Sequence, residues 1–467
     1  MKILLILPAA DHLRIGKDTR GVPKRAMLRF SILPLTLVAA LTPREHYVEI
    51  CDENVTPLDF AHEADLIGIS FMTALAPRAY AIAAEFRRRG KMVVAGGYHP
   101  ALMTEETALH FDAVVVGDAE IIWPQLLKDA ECGRLNRIYR HAVLPDLTHT
   151  PAPRRDLTPK TAKHYATTSA VQVGRGCEHV CRYCSVTAFN GRTYRTRPIE
   201  NVLIELSRID RDFIFVDDNI IADREYAKRL FRAMIAMKKS WVSQCSLEIT
   251  DDPELLCLAR KAGCRGLFIG IETTSADNLT AVGKDFNDSH GYLKRIAKIR
   301  KQGIAIIAGI IVGLDGDDRS VFSRTISFLQ KAGVDALQLN ILTPLPGTPL
   351  YEDFKMAGRI VDYDWSHYDF RHVVINPAKM TRLELQNGAD WLYSRFYRLD
   401  RIVLRALRTL LTAGLKPAMI ALKLNLTYRY DMIREGIRGY DPLQADQKPL
   451  APFVLQFISC VLHGNHG

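Results

Sequence analysis

Short apolar runs alternate with amphipathic segments over the first 125 residues of the chain. Apolar runs of this length, bounded by turn residues, are typical of strands that are buried on both faces of a parallel sheet. The predicted strands are residues 3–7, 48–51, 66–70, 92–95 and 114–117, and helical patterns cover residues 35–41 and 79–89. Strands joined through helices predict a doubly wound, Rossmann-like α/β domain, in which ligands bind at the carboxyl ends of the strands.

The same alternation resumes at residue 170 and continues to about residue 345. Strands are predicted at residues 170–173, 213–216, 244–249, 266–271, 304–312 and 336–342. Six strand–helix units fit a partial (β/α)6 barrel, with its active site at the carboxyl ends of the strands. We therefore divide the chain into a Rossmann-like domain (1–130), a Pro- and Arg-rich linker (131–168), a barrel domain (169–380) and a helical C-terminal region (381–467).

Composition is that of a globular protein. The 467 residues, 48% hydrophobic and 24% charged, are enough for two hydrophobic cores. No apolar run is long enough to span a membrane, and the short run at residues 3–7 is interpreted as a buried strand and not as a signal sequence. These features predict a cytoplasmic protein.

The formal net charge of +10 is concentrated in the C-terminal region, where arginines and lysines are interleaved with leucines. This amphipathic pattern leaves two interpretations open: a helix that lies on the anionic inner face of a membrane, or a helical subdomain that packs on the barrel. Membrane contact would favour a lipid or another hydrophobic substrate. Nucleic acid is a less favoured partner, because no RNA-binding accessory motif accompanies the charge.

Three cysteines, Cys177, Cys181 and Cys184, form a C-x3-C-x2-C motif. Three thiolates at this spacing suit a cubane iron–sulfur cluster, and no fourth cysteine follows before Cys245, so one iron would stay open. A zinc site is the alternative, but His179 lies between the first two cysteines, where it cannot easily share their metal. A disulfide is disfavoured because no secretory signal is present. The other six cysteines are predicted to be buried core thiols: Cys51, Cys132, Cys245, Cys257, Cys264 and Cys460.

The cysteine motif, with Tyr183 before its last cysteine, resembles that of the radical S-adenosylmethionine (radical SAM) superfamily. The resemblance implies that the three cysteines hold a [4Fe-4S] cluster whose open iron binds the methionine part of S-adenosylmethionine. Asp217 and Asp218 follow the second barrel strand, where the family binds the methionine amino group. A helix N-cap is the alternative role for these two acids.

Two glutamates also follow barrel strands. Glu272, in the sequence Ile-Gly-Ile-Glu-Thr after the fourth strand, resembles the family residue that meets the ribose or methionine part of the cofactor. Glu248, after the third strand, is a weaker second candidate. Either glutamate could instead be paired with an arginine.

The fifth strand resembles the family's adenine-binding element through Gly309, Ile311 and Gly313. The acid that often follows this element is displaced by one position here, at Asp315, so an acidic role at that point is in doubt. The sixth strand ends in a Pro- and Gly-containing run, residues 343–349, that recurs in the cobalamin-associated branch of the superfamily.

Strand ends of the first domain resemble those of cobalamin-binding domains in the same branch. The matching residues are Ser70, Gly96, Gly97, Gly117 and Glu120. The resemblance implies a slot for the nucleotide tail of cobalamin, with the corrin facing the barrel. His12 lies near the usual position of an axial histidine but at a different spacing, so an open lower face, or a domain that has lost the cofactor, stays an alternative.

Together these resemblances imply an enzyme that cleaves S-adenosylmethionine reductively and removes hydrogen from a small-molecule or lipid-like substrate. Cobalamin would then supply a methyl group, and a flavodoxin or ferredoxin would supply the electron. Two alternatives stay open. One is a cyclisation, rearrangement or carbon–carbon bond formation without methyl transfer, and the other is an iron–sulfur protein of electron transfer or sensing.

Overall fold

The computed structural model describes residues 1–9, 32–158, 165, 167 and 169–434. The first domain contains a six-stranded parallel sheet in the order β2-β1-β3-β4-β5-β6. Its strands are β1 (Lys2–Leu7), β2 (Tyr47–Asp52), β3 (Leu66–Ser70), β4 (Met92–Gly96), β5 (Ala113–Val116) and β6 (Ile138–Arg140). Its helices are α1 (Leu33–Leu41), α2 (Ala76–Arg88), α3 (Tyr98–Leu102), α4 (Thr104–His110) and α5 (Ala119–Glu131). The doubly wound fold predicted from the sequence is confirmed.

Both faces of this sheet are buried, which explains why its strands are continuous apolar runs. Leu4 and Ile6 point into a core on one face, and Ile3 and Leu5 point into a second core on the other face. This alternation is the ordinary side-chain period of a strand. Strand β6 lies within the segment that the sequence analysis assigned to the linker, so the first sheet extends beyond residue 130.

The second domain contains a six-stranded parallel sheet in the order β7-β10-β11-β12-β13-β14, which is the strand order of a partial barrel. Strands β8 and β9 form a separate antiparallel hairpin that the sequence pattern did not predict. The strands are β7 (Ala170–Val171), β8 (Gly174–Gly176), β9 (Tyr194–Thr196), β10 (Asp212–Phe215), β11 (Ser240–Cys245), β12 (Cys264–Glu272), β13 (Ala305–Val312) and β14 (Ala336–Ile341). The helices between them and after β14 are α6 (Ser185–Asn190), α7 (Ile199–Ser207), α8 (Arg224–Met234), α9 (Pro253–Lys261), α10 (Ala276–Ala281), α11 (Tyr292–Lys301), α12 (Val321–Ala332) and α13 (Pro349–Met356).

The third barrel strand was predicted too late in the chain, at residues 244–249. It lies at Ser240–Cys245, and a 3-10 helix follows at Leu247–Asp251. Both segments carry alternating apolar residues, so the period alone does not choose between them. At the end of the strand, the Asn219 side chain accepts the Ser246 N–H at 3.2 Å, and the Ile220 N–H donates to the Gln244 carbonyl at 3.2 Å.

Three helices follow the barrel: α14 (Arg382–Phe396), α15 (Leu399–Ala413) and α16 (Leu415–Arg434). They pack on the outer side of β14. The buried Tyr397 hydroxyl donates to the Leu337 carbonyl at 2.6 Å and accepts from the Leu337 N–H at 3.0 Å, and Asn425 donates to the Asp335 carbonyl at 2.7 Å. One side of these helices therefore belongs to the barrel core. Among the described helices, none combines the length and apolarity that a membrane crossing requires.

Not all cysteines outside the motif are core thiols. Cys51, Cys245 and Cys264 are buried, Cys257 is half-buried, and Cys132 is exposed. The prediction for Cys132 is wrong because this residue ends α5 at the surface, although an apolar helix precedes it. Cys460 lies outside the described residues.

Candidate active site between the two domains

The cysteine motif forms the loop between β8 and α6. Cys177, Cys181 and Cys184 are half-buried free thiols that lie close enough to influence one another's ionisation. Burial raises the pKa of all three, that of Cys184 to about 11, while the ammonium of Lys284 acts in the opposite direction on Cys177 and Cys181. Three free soft donors beside one buried cation fit a [4Fe-4S] cluster, because iron binds thiolate and the cation offsets part of its negative charge.

Asp217 and Asp218, predicted to bind the methionine amino group, hold the backbone that leads into this loop. The Asp217 carboxylate accepts the Gly174 N–H at 2.6 Å and the Val173 N–H at 3.1 Å, and Asp218 accepts the Gly176 N–H at 3.2 Å. Burial raises the pKa of Asp217 to about 8 and that of Asp218 to about 6, against the effect of these donors. Asp217 is therefore engaged with the chain itself, and the cofactor role of both acids stays a prediction.

Glu248 also supports the cysteine loop. Its carboxylate accepts from the Ser246 hydroxyl at 2.9 Å and lies 2.9 Å from the His179 ring nitrogen, and this contact with His179 holds the pKa of Glu248 below its usual range. The His179 ring stacks on Phe286, with 3.6 Å between the ring centroids. A glutamate that follows the third strand thus fixes the side chain between the first two cysteines.

Glu272 ends β12 beside the cysteines and is paired with a lysine that the sequence analysis did not identify. The Lys284 ammonium donates to Glu272 Oε1 at 2.5 Å, and both side chains are about 10% exposed. Burial alone would lower the pKa of Lys284, but Glu272 and Cys181 raise it above its ordinary value. Glu272 has a φ of 63°, in the left-handed region, and the sheet register shifts at this point. Backbone strain of this kind is often found at functional sites.

The strand predicted to contact adenine is β13, which contains Gly309 and Ile311 and ends directly before Gly313. Gly309 lies against the Phe268 ring, where a Cβ atom would lie 2.8 Å from the ring edge, and Ile311 is 7% exposed. The loop after Gly313 is held by Asp317, whose carboxylate accepts the Gly313 N–H at 3.0 Å. Asp315 points elsewhere and pairs with Arg359 at 2.7 Å. Asp317 was missed because it lies two positions after the displaced acid.

Small residues at the carboxyl edge of the first sheet allow close packing of the backbone at Gly97 and leave open space at Gly117. Gly97 has a φ of 102°, and a Cβ atom there would lie 2.8 Å from the Phe71 carbonyl and 3.0 Å from the Ser70 hydroxyl. Gly96 pairs with Ser70 at the ends of β4 and β3, and Gly117, with a φ of 95°, has no atom within 4 Å of the position of a Cβ. We call this edge, formed by Ser70, Gly96, Gly97 and Gly117, the cradle, and its open position at Gly117 is compatible with close approach by the nucleotide tail of cobalamin.

Glu120 does not line this edge freely, because its carboxylate accepts from Arg175 of the second domain at 2.6 Å. Its assignment to cofactor binding thus competes with a contact between domains. His12 lies outside the described residues.

The cradle and the cysteine loop face each other across the domain boundary. The Tyr98 ring, directly after Gly97, stacks on Phe189 of α6 with centroids 4.5 Å apart. Gly347, from the Pro- and Gly-containing run after β14, has a φ of 76° and packs on Leu102 of the first domain. Cofactors held at the two edges would therefore be neighbours.

His99 is buried in the same boundary. It is 0% exposed, its Nε2 atom lies 3.0 Å from the Tyr80 hydroxyl, and its Nδ1 atom has no hydrogen-bond partner in the described residues. The Trp365 ring from the second domain packs edge-on against it, and the Trp365 N–H donates to Glu106 at 2.7 Å. Burial lowers the pKa of His99 to about 4.

We expect His99 to make the fold acid-sensitive. Between pH 6.5 and pH 4 the ring is protonated in the unfolded chain and neutral in the folded chain, so the free energy of unfolding falls as the pH falls. The loss should be about 3 kcal/mol over this window. Urea unfolding at several pH values should show a shallower fall in His99→Gln than in the wild type. Equal slopes would contradict this prediction.

Comparison with known proteins gives two family models that match the chain. The model described as B12 binding domain matches residues 31–127, and the model described as Radical SAM superfamily matches residues 171–329. A bacteriochlorophyllide d C-12(1)-methyltransferase of Chlorobaculum tepidum is 30% identical over 383 residues, which are 79% of this chain and 82% of that protein. A hopanoid C-2 methylase of Rhodopseudomonas palustris is 28% identical over 71% of this chain and 65% of that protein.

A solved structure shares the fold. The radical S-adenosylmethionine methyltransferase TsrM from Kitasatospora setae, with cobalamin and a [4Fe-4S] cluster bound, has a TM-score of 0.61 and 17% sequence identity. The match covers 76% of this chain and 78% of that chain.

Proposed function

The chain belongs to the radical SAM superfamily, in the branch with a B12-binding domain, and from this premise we propose that it methylates an unactivated carbon of a rigid, apolar, polycyclic substrate at a membrane surface. It is a cobalamin-dependent radical SAM methyltransferase, and its cofactors are a [4Fe-4S] cluster, S-adenosylmethionine and cobalamin. These family, cofactor and reaction-class predictions from the sequence are confirmed. The substrate class and the place of action are the proposal.

Different residues at the domain boundary are assigned to the different cofactors. When bound, the cluster with S-adenosylmethionine supplies a radical that removes hydrogen, and cobalamin supplies the methyl group. We assign the cluster to the three motif cysteines and the polar end of S-adenosylmethionine to Glu272 and Asp218. Gly309, Ile311 and Gly313 would contact adenine, and Ser70, Gly96, Gly97 and Gly117 would hold the cobalamin tail. A flavodoxin or ferredoxin would deliver the electron.

An exposed apolar surface on α15 and α16 carries the proposal of a membrane-associated substrate. We call it the leucine patch, and it consists of Leu404, Leu407, Leu410, Leu411, Leu415 and Met419. Leu411 is 86% exposed and Leu415 is 65% exposed, although both lie at the turn of a well-packed helix pair. Contiguous exposed apolar side chains on a globular protein usually mark a surface that binds another molecule or a membrane.

The charge around the patch favours an anionic membrane over a protein partner. No acidic residue lies between Asp400 and Asp431, whereas six basic residues do: Arg401, Arg405, Arg408, Lys416, Lys423 and Arg429. Arg405 and Arg429 face the barrel, where they donate to the Phe396 and Tyr397 carbonyls. Arg408 and Lys423 are exposed. Leucines that enter the lipid boundary, beside cations that meet anionic head groups, form the usual peripheral attachment. The two relatives described above are named for a bacteriochlorophyllide and a hopanoid, which are large ring systems of low water solubility.

Labelled methyl transfer tests the substrate class. Reconstituted enzyme with reductant, cobalamin and S-adenosylmethionine that carries a deuterated methyl group should label a compound in an apolar extract of host membranes. Cys181→Ala protein serves as the control and should give no label. Label confined to the polar metabolites would contradict the proposal, and a new ring or bond without label would favour the radical outcome that lacks methyl transfer.

Vesicle binding tests the leucine patch. The double variant Leu411→Glu and Leu415→Glu should bind vesicles that contain phosphatidylglycerol at least about tenfold more weakly than the wild type, because each buried leucine contributes about 1.5–3 kcal/mol. Leu383→Glu is the matched control, since Leu383 is 69% exposed but lies on α14, outside the patch. Equal loss in both variants, or no loss in either, would contradict membrane contact through the patch.

A further inference from the structure

Four charged residues form a chain of ion pairs across the domain boundary. Asp118 and Glu120 lie at the start of α5 in the first domain, and Arg175 and Arg195 lie on β8 and β9 in the second. Arg175 is 3.0 Å from Asp118 and 2.6 Å from Glu120, and Arg195 is 2.8 Å from Asp118. The side chains are 6% to 14% exposed. We call this group the interdomain clamp.

The two arginines would destabilise the hairpin if no acid were near them. Arg175 and Arg195 are direct cross-strand neighbours in the β8–β9 hairpin, a position in which two like charges repel. The two acids of the first domain neutralise them. Asp118 occupies the N-cap position of α5, yet its side chain makes no capping hydrogen bond and reaches across the boundary instead. The hairpin is therefore electrostatically complete only with the first domain in place.

Further donors of the two arginines bind residues of the second domain and of the linker. Arg175 Nε donates to Gln172 at 3.0 Å, and Arg195 donates to the Pro145 carbonyl at 2.8 Å and to Asn190 at 3.1 Å. Planar guanidinium groups that are held at several atoms have little freedom to turn. The clamp thus fixes the orientation of the two domains as well as the distance between them.

The clamp joins the two loops that the cofactors require. Arg175 lies two residues before Cys177, and Asp118 directly follows Gly117, the open glycine of the first domain. The Gly176 N–H, between Arg175 and Cys177, is held by Asp218, so a movement at Arg175 reaches the cysteine loop over a very short path. A displacement of about 1 Å between reacting groups can lower a rate by about a hundredfold.

We propose that Asp118, Glu120, Arg175 and Arg195 are positioning residues that fix the methyl-donor domain against the cysteine loop and thereby couple methyl transfer to cleavage of S-adenosylmethionine. This role rests on the assignment of methyl transfer and is independent of the membrane-associated substrate. Glu120 then acts on the second domain and not on the cobalamin tail.

The test compares the full-length wild-type holoenzyme with two single variants, Asp118→Asn and Glu120→Gln. Each substitution removes the charge and keeps the shape of the side chain. With S-adenosylmethionine and apolar extract, methyl groups transferred per 5′-deoxyadenosine released should fall about tenfold or more. Cobalamin retained on purification and the electron paramagnetic resonance spectrum of the cluster should stay as in the wild type. Amide hydrogen exchange should rise in residues 113–120 and 174–196.

Glu85→Gln is the matched control, because Glu85 pairs with Arg88 and Arg89 near the end of its own helix α2, at 2.8 and 2.6 Å. It should leave the product ratio and the exchange of both segments unchanged. Glu120→Gln added to Arg175→Gln should cost no more than Arg175→Gln alone, because Arg175→Gln already removes the only clamp contact that Glu120 makes.

Loss of cobalamin from Glu120→Gln with an intact cluster would make Glu120 a cofactor ligand and overturn the clamp. An unchanged product ratio with unchanged exchange would overturn it as well. If the wild type forms no methylated apolar product, the substrate proposal fails, whereas hydrogen exchange and cobalamin retention still decide the role of the clamp.

Discussion

Replacement of Cys181 by alanine should abolish the release of 5′-deoxyadenosine from S-adenosylmethionine. Three thiolates are needed for three irons of the cluster, and within the described residues no other free cysteine belongs to the motif loop to take the place of the missing one. The loss should be complete and should be accompanied by loss of the cluster's visible absorbance. The measurement is anaerobic reconstitution with dithionite, followed by quantification of 5′-deoxyadenosine.

Cys257→Ala provides the matched control. Cys257 is a half-buried thiol on α9, outside the motif, so its removal should leave the cluster and the cleavage reaction intact. Residual cleavage by Cys181→Ala above the level of protein without iron would show that the motif is not the radical source.

Replacement of Lys284 by methionine should lower the free energy of unfolding by about 3–5 kcal/mol, because it leaves the buried carboxylate of Glu272 without its partner. Urea unfolding of the cofactor-free protein measures this loss. The double variant Lys284→Met and Glu272→Gln should recover most of it, since removal of both charges removes the uncompensated one.

A surface lysine gives the control for this change. Lys2 pairs with Glu63 at 3.0 Å, with side chains 55% and 84% exposed, and Lys2→Met should not measurably alter stability. If Lys284→Met is as stable as the wild type, or if the double variant is no more stable than Lys284→Met, the pair is not a buried, coupled one.

The fold was predictable because its strands are buried on both faces. Runs such as residues 3–7 are apolar at every position, since Ile3 and Leu4 point into different cores, and such runs are hard to mistake. The strand at Ser240–Cys245 was misplaced because the segment after it alternates in the same way. The hairpin of β8 and β9 was missed because strands of three residues carry no measurable period.

The candidate site was predictable in the identity of its residues more than in their contacts. Asp217 and Glu272 were expected after the second and fourth barrel strands, and they lie after β10 and at the end of β12, while their cofactor roles stay predictions. Partners far apart in the chain left no signal: Glu120 meets Arg175 across 55 positions, and Trp365 meets Glu106 across 259. Lys284 was missed because a single lysine in a polar segment has the appearance of a solvent-exposed residue.

We conclude that one chain couples radical cleavage of S-adenosylmethionine to a methyl transfer that needs cobalamin. The most direct measurement is a single anaerobic reaction of the cluster-loaded enzyme with reductant, deuterated-methyl S-adenosylmethionine and apolar membrane extract, with and without bound cobalamin. This coupling should give 5′-deoxyadenosine together with a deuterium-labelled carbon-methyl product when cobalamin is bound, and no labelled product when cobalamin is absent. Equal labelling with and without cobalamin, or labelling without 5′-deoxyadenosine, would contradict it.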